Sequence, residues 1–72
     1  MEFDFSKLQG LIVEKYGTRS AFAAAWGKHD SYLSNRLNNV VKFDTEDIYE
    51  CCQLLGINAE DIPVYFFTVK VL

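Results

Sequence analysis

Histidine and proline occur once each in this chain of 72 residues, glycine four times, and the two cysteines, Cys51 and Cys52, are neighbours. Each scarcity excludes something. Structural zinc is held by four ligands with paired spacing, and His29 with two adjacent thiols does not supply them. Adjacent cysteines are poor disulfide partners for one another, so a reduced, cytoplasmic setting is expected. No run approaches the roughly 18 consecutive apolar residues of a membrane span. The opening MEFDFSKLQG lacks the basic-then-apolar pattern of a signal peptide. No nucleophile–histidine–acid grouping and no phosphate-binding glycine loop is visible, so neither an enzyme nor a cofactor is expected. Positive charge is also scarce, with seven Lys and Arg against ten Asp and Glu, a net charge of -3. DNA-binding domains usually carry a basic patch, because neutralised phosphates supply much of their affinity. The bulk charge here does not favour nucleic acid, although the local field at a docking face matters more than the sum.

Hydrophobic residues, in contrast, make up 50% of the chain and aromatic residues 15%, enough for a real core and against disorder. The length suits one small domain, residues 1–72, whose limited core demands efficient helix packing, a staple or a partner. The pattern predicts five short helices and no convincing sheet, an all-α class. Phe5, Leu8, Ile12 and Tyr16 recur at helical spacing, with Asp4 as N-cap and Gly17 as stop. A second helix spans Arg19 to Trp26, capped by Thr18. A third spans Asp30 to Leu37, where Leu33 and Leu37 stack and Tyr32 and Arg36 form a flanking row. Asn38 and Asn39 suit a left-handed turn, and Val40 and Val41 a brief extended stretch. Asp44 and Asp47 read as a reciprocal cap of a fourth helix ending at Gly56, with Phe43 and Ile48 as a hydrophobic staple. Ile48, Cys51, Cys52 and Leu55 share a face, which makes the cysteines core residues. Glu46, Asp47 and Glu50 read as an acidic surface. A short helix follows at Ala59 to Ile62, limited by Pro63.

The stretch RSAFAAAWGKHDSYLSNRLNN, Arg19 to Asn39, has the spacing of a helix-turn-helix. Ala23 is the small residue at the helix crossing, and Gly27, four residues on, allows the sharp turn. Phe22, Trp26, Leu33 and Leu37 are the apolar anchors. An ordinary helical hairpin is the alternative reading.

Beyond this motif, the whole chain resembles the small helix-turn-helix regulators of temperate phages, of the Cro and phage-repressor group. The likeness rests on MEFDFSKLQGLIVEKYGT, SAFAAAWG, LSNRLNN and LLGINAEDIPVYFFTVKV, nearly the full length. It is most similar to the modulator-of-repression, or antirepressor, type. That resemblance implies a compact lambda-repressor-like fold and a role in the choice between lytic growth and lysogeny in a bacterial host. Two partners follow from it. An antirepressor binds the phage repressor protein and blocks operator binding, whereas a Cro-like protein binds operator DNA itself.

Carried onto this chain, the third helix is the recognition element. Arg19 stands at the start of the second helix, Lys28 in the turn and His29 at the N-cap. Asp30, Ser31, Ser34 and Asn35 face the groove or partner, and Asn38 lies at the end. Tyr32 reads either as an interface contact or as a partly buried neighbour of the core. Some positions depart from the DNA-reading pattern. His29 stands where Ser or Thr usually caps the helix and touches a phosphate, and Lys28 where an apolar residue is usual. Asp30 points a carboxylate toward phosphates, although a carboxylate can accept from a cytosine amino group and Asn35 can pair with adenine. Only four cations, Arg19, Lys28, Arg36 and Lys42, lie between Arg19 and Lys42. These departures favour the repressor over the duplex. The apolar tail VYFFTVKVL, Val64 to Leu72, reads either as core closure or as an extended arm pairing across a homodimer.

Overall fold

A computed structural model describes residues 1–71. The helices run in the order α1 Ser6–Tyr16, α2 Arg19–Trp26, α3 Asp30–Leu37 and α4 Thr45–Leu55. A 3-10 turn, Ala59–Asp61, then leads into α5, Ile62–Phe66. The fold is the all-helical domain expected, and α1 and α2 wrap the same core that α4 and α5 close.

α1 buries Leu8 and Ile12 completely, as their spacing requires. Its Tyr16 hydroxyl donates to the Leu54 carbonyl at 2.8 Å, which ties the end of α1 to the end of α4. The expected cap differs by one residue. Phe5 occupies the N-cap, and Asp4 Oδ1 instead accepts from the Ser6 amide at 2.8 Å. Phe5 is drawn inward because its ring packs edge-on against Phe43, with centroids 5.1 Å apart.

α2 starts on a side-chain cap, Thr18 accepting from the Ala21 amide at 3.0 Å. It ends at Gly27 in the left-handed region, φ 77°. The Lys28 amide then bonds the Ala23 carbonyl at 2.9 Å. This satisfies a carbonyl the helix end leaves free and turns the chain into α3. Phe22, Ala23, Leu33 and Leu37 are all buried, so the two helices share one apolar seam. A Cβ at Gly27 would meet nothing within 4 Å. Gly27→Ala is therefore expected to cost only its backbone strain, about 1–2 kcal/mol. Urea denaturation should show that loss for alanine and a smaller one for Gly27→Asn.

α4 opens with the reciprocal cap read from the sequence. Asp44 Oδ1 accepts from the Asp47 amide at 2.7 Å, and Asp47 Oδ2 from the Asp44 amide at 3.1 Å. Cys51, Cys52 and Leu55 face inward, with both thiols free. Burial pushes both thiol pKa values up, which keeps them protonated and unreactive.

The C-terminal third departs from expectation at Pro63. The proline does not end a helix; it sits in the first turn of α5, where its missing N–H has no partner to lose. α5 buries Phe66, whose ring meets Phe43 edge-on at 5.2 Å, while Phe67 remains 48% exposed. Beyond it the tail pairs with the chain's own beginning. Phe3 and Val69 form an isolated antiparallel bridge, flanked by Asp4 N–H to Thr68 O at 2.7 Å and Lys70 N–H to Glu2 O at 3.0 Å. Leu72, the last residue of the expected tail, lies outside the described residues.

The α3–α4 connection is bent rather than extended. The amides of Val40 and Val41 both reach the Asn35 carbonyl, at 2.8 and 3.1 Å. Of the two asparagines, Asn39 takes the left-handed conformation, φ 62°, and Asn38 does not, φ -97°. Asn39 gains a structural task there. Its amide side chain exchanges two hydrogen bonds with the Phe3 backbone, at 2.9 and 3.0 Å, holding the N-terminal segment against α3.

Candidate helix-turn-helix interface

The α2–Gly27–α3 unit presents one polar surface. Arg19 at the head of α2, His29 at the N-cap of α3, Asp30, Ser31 and Asn35 along α3, and Asn38 at its C-cap are all exposed. Ser34 and Lys28 are half-buried at its margins. Lys28, His29, Asp30 and Ser31 line a shallow hollow at the turn together with Ala24. His29 makes no side-chain cap to α3, so its imidazole is not committed to the helix end. Asp30 is in the first turn of α3, where the helix dipole favours an acid. Its Oδ2 also accepts from Ser20 Oγ at 2.8 Å. That bond links the N-terminal turns of α2 and α3 across the unit. The Asp30 carboxylate is thereby aimed, while the residue stays exposed.

The cations near this face are placed differently from what their sequence positions imply. Arg36 turns inward: its Nε donates to Asp47 Oδ2 at 2.9 Å, with only 12% of the Arg36 side chain and 3% of the Asp47 side chain exposed. Its guanidinium also stacks over the Tyr32 ring at 3.5 Å. Lys28 folds over the same ring, Nζ 4.7 Å from the centroid, and near Trp26 at 5.8 Å. Lys42 lies 5.8 Å from the Phe3 ring centroid. Among the described residues, Arg19 alone of the four has no ion-pair or aromatic partner. A surface read as sparsely basic from the sequence is sparser still in three dimensions.

Tyr32 resolves toward its inward reading. It is half-buried, packs edge-on against Trp26 at 5.3 Å, and donates its hydroxyl to Asp47 Oδ1 at 2.6 Å. That donated bond and burial raise the Tyr32 pKa. Asp47 is the principal correction. It belongs to no acidic surface, being buried at 2% exposure, where it accepts from Tyr32, Arg36 and the Asp44 amide. Burial raises its carboxyl pKa, but these bonds outweigh burial and hold it below the ordinary value. Glu50 is likewise engaged, accepting from Trp26 Nε1 at 2.8 Å. The sequence carried part of the signal, since Tyr32 and Arg36 are polar-tipped residues one turn apart beside the buried Leu33 and Leu37, but nothing in that row names Asp47 as their partner.

Residues 1–69 match the family described as "Protein of unknown function (DUF739)". Among solved structures, the chain is similar to the solution structure of the modulator of repression of the temperate bacteriophage TP901-1 from Lactococcus lactis. The two share 40% sequence identity, with a TM-score of 0.84, over 100% of this chain and 97% of that one. No curated protein matches the chain.

Proposed function

This chain belongs to the DUF739 family, and from that footing we propose that it is a phage modulator of repression that binds its phage's repressor and blocks operator binding. The observation that carries this reading is the full-length likeness to a modulator of repression, 40% identical and similar at a TM-score of 0.84. The contact surface in this reading is the helix-turn-helix face. Asp30, steadied by Ser20, meets a cation on the repressor's DNA-binding face, and Ser31, Ser34, Asn35, Asn38 and His29 supply hydrogen bonds around it. Arg19 and Lys28 sit at the margins. The placement of the cations supports a protein partner over a duplex. With Arg36 bound to Asp47 and Lys28 folded onto Tyr32, few charges remain to neutralise phosphates. The Cro-like alternative therefore draws no support from this face.

No helix among the described residues is long and apolar enough to cross a membrane. The site of action in this reading is the cytoplasm of the bacterial host, where the repressor is. An arm reaching to a second copy has less support, because Thr68 and Lys70 already bond the chain's own N-terminal segment.

Two titrations test the proposal. The purified protein should bind its phage's repressor and compete with operator DNA for it. Alone, it should bind the operator no better than unrelated duplex at moderate salt. Tight, sequence-specific binding of the operator by this protein alone would overturn the reading. Asp30→Lys should weaken repressor binding by about tenfold or more, because it sets like charges against each other at the contact.

A further inference from the structure

We infer that the groove between α4, the 3-10 turn and α5 is a second docking surface, and that its occupant is an amphipathic helix of a partner protein, apolar on one face and flanked by Lys or Arg. The groove has a volume of about 510 Å³ and is walled chiefly by Ile48, Tyr49, Cys52, Ile57, Ile62 and Phe67. α4 positions it. Its Cys51 and Leu55 point into the core, while Thr45, Tyr49 and Gln53, one turn apart in succession, form the outer wall. Two large side chains at the groove stay in water, Tyr49 at 65% exposure and Phe67 at 48%. Such a groove, mostly apolar in its lining and partly open to solvent, suits the apolar anchors, spaced at i, i+3, i+4 and i+7, of a bound helix. None of the outward residues of the helix-turn-helix face lines it.

Charge selects the occupant. From Phe43 to Val69 the sequence holds the acids Asp44, Glu46, Asp47, Glu50, Glu60 and Asp61, and no Lys or Arg. Asp47 and Glu50 are engaged internally, but Glu46, Glu60 and Asp61 are exposed and form no salt bridge among the described residues. Each of these three is next in sequence to a groove-lining residue: Glu46 to Thr45, Glu60 to Ala59 and Asp61 to Ile62. A cation does approach one end, where the Lys15 amine lies against Gly56, the residue before Ile57. An apolar trough beside unpaired carboxylates favours cations on the flanks of what fills it. A second copy of this chain would bring acids against acids, with a net charge of -3 on each side. Anionic lipid and nucleic acid are disfavoured for the same reason.

A defined probe tests both parts of the inference. It is a synthetic helix of about 18 residues built of leucine and lysine, with the leucines at the groove-binding spacing. Its controls are a scrambled peptide of identical composition and a version with glutamate in place of lysine. The isotope-labelled protein is titrated with each and followed by NMR. The patterned lysine peptide should shift Ile48, Tyr49, Ile57, Ile62 and Phe67 and bind about tenfold more tightly than either control. Tyr49→Lys, at an exposed position, should reduce that binding by about tenfold without altering the fold, and Asp30→Lys should leave it unchanged. Equal binding of the scrambled or glutamate peptide, shifts centred on α3, or no binding would each overturn the inference. So would a concentration-dependent dimer that covers these residues. Repressor binding, read separately with Asp30→Lys, distinguishes failure here from failure of the antirepressor reading.

Discussion

Asp47→Ala should unfold most of the population at room temperature or leave it barely stable. The carboxylate is the shared acceptor for the Tyr32 hydroxyl, the Arg36 guanidinium and the Asp44 amide. Removing it strands a nearly buried guanidinium and a half-buried phenol, and it takes away the reciprocal bond of the α4 cap, although Asp44 Oδ1 still accepts from the residue 47 amide. Breaking a buried ion pair by deleting one partner costs about 3–5 kcal/mol. Loss of the reciprocal hydrogen bond from the Asp44 amide adds about 1 kcal/mol. A domain of 72 residues sits near the low end of the usual range, about 5 kcal/mol. Urea denaturation should show the transition moved close to zero denaturant. Arg36→Met is the informative companion, because it removes the charge while keeping much of the apolar stem. It should be milder than Asp47→Ala, since Tyr32 and Asp44 still satisfy the carboxylate.

The same residue predicts an acid dependence. Its folded pKa lies below the ordinary 3.8, because the bonds it accepts outweigh the effect of burial. A carboxyl with a depressed folded pKa binds fewer protons folded than unfolded. Its contribution is therefore complete above the unfolded value and is lost as pH falls from there through the folded pKa. Stability measured by urea should stay level from neutral pH to about 5, then fall below about 4. In Asp47→Asn that part of the fall should be absent. An unchanged acid slope in Asp47→Asn would remove Asp47 from this role.

What the sequence disclosed and what it hid follow one division. Helix positions, the Gly27 turn and the Ala23 crossing rest on residues within a few places of one another, and periodicity and capping chemistry expose such features. The exposure of Arg19, His29, Asp30, Ser31, Asn35 and Asn38 was legible for the same reason, since a helix face follows from spacing, whereas Lys28, Tyr32 and Ser34 are half-buried. The fate of the cations was not. Whether Arg36 looks outward depends on Asp47, eleven residues away on another helix. The cap at Asp47 accounted for its type so well that nothing local called for a second partner. Pro63 failed for a related reason, because proline stops a helix from within and starts one from its first turn, and only the packing of Phe66 decides which.

The tail offers the second large effect, and a contrast between neighbours makes it specific. Phe66 is 2% exposed, and its ring meets Phe43, which in turn meets Phe5. This aromatic chain joins α5, the start of α4 and the start of α1. Phe66→Ala should cost about 3–5 kcal/mol, the range for a buried phenylalanine whose site cannot fully collapse. Phe67 is half in water, although its ring touches Phe3 at a centroid distance of 5.7 Å. Phe67→Ala should cost about 1 kcal/mol. If the tail were instead an arm ordered by a second copy, the two substitutions would affect self-association more than monomer stability. Their effects would then grow with protein concentration. Core closure within one chain predicts unfolding midpoints independent of concentration for both variants, with the Phe66 loss at least twofold larger.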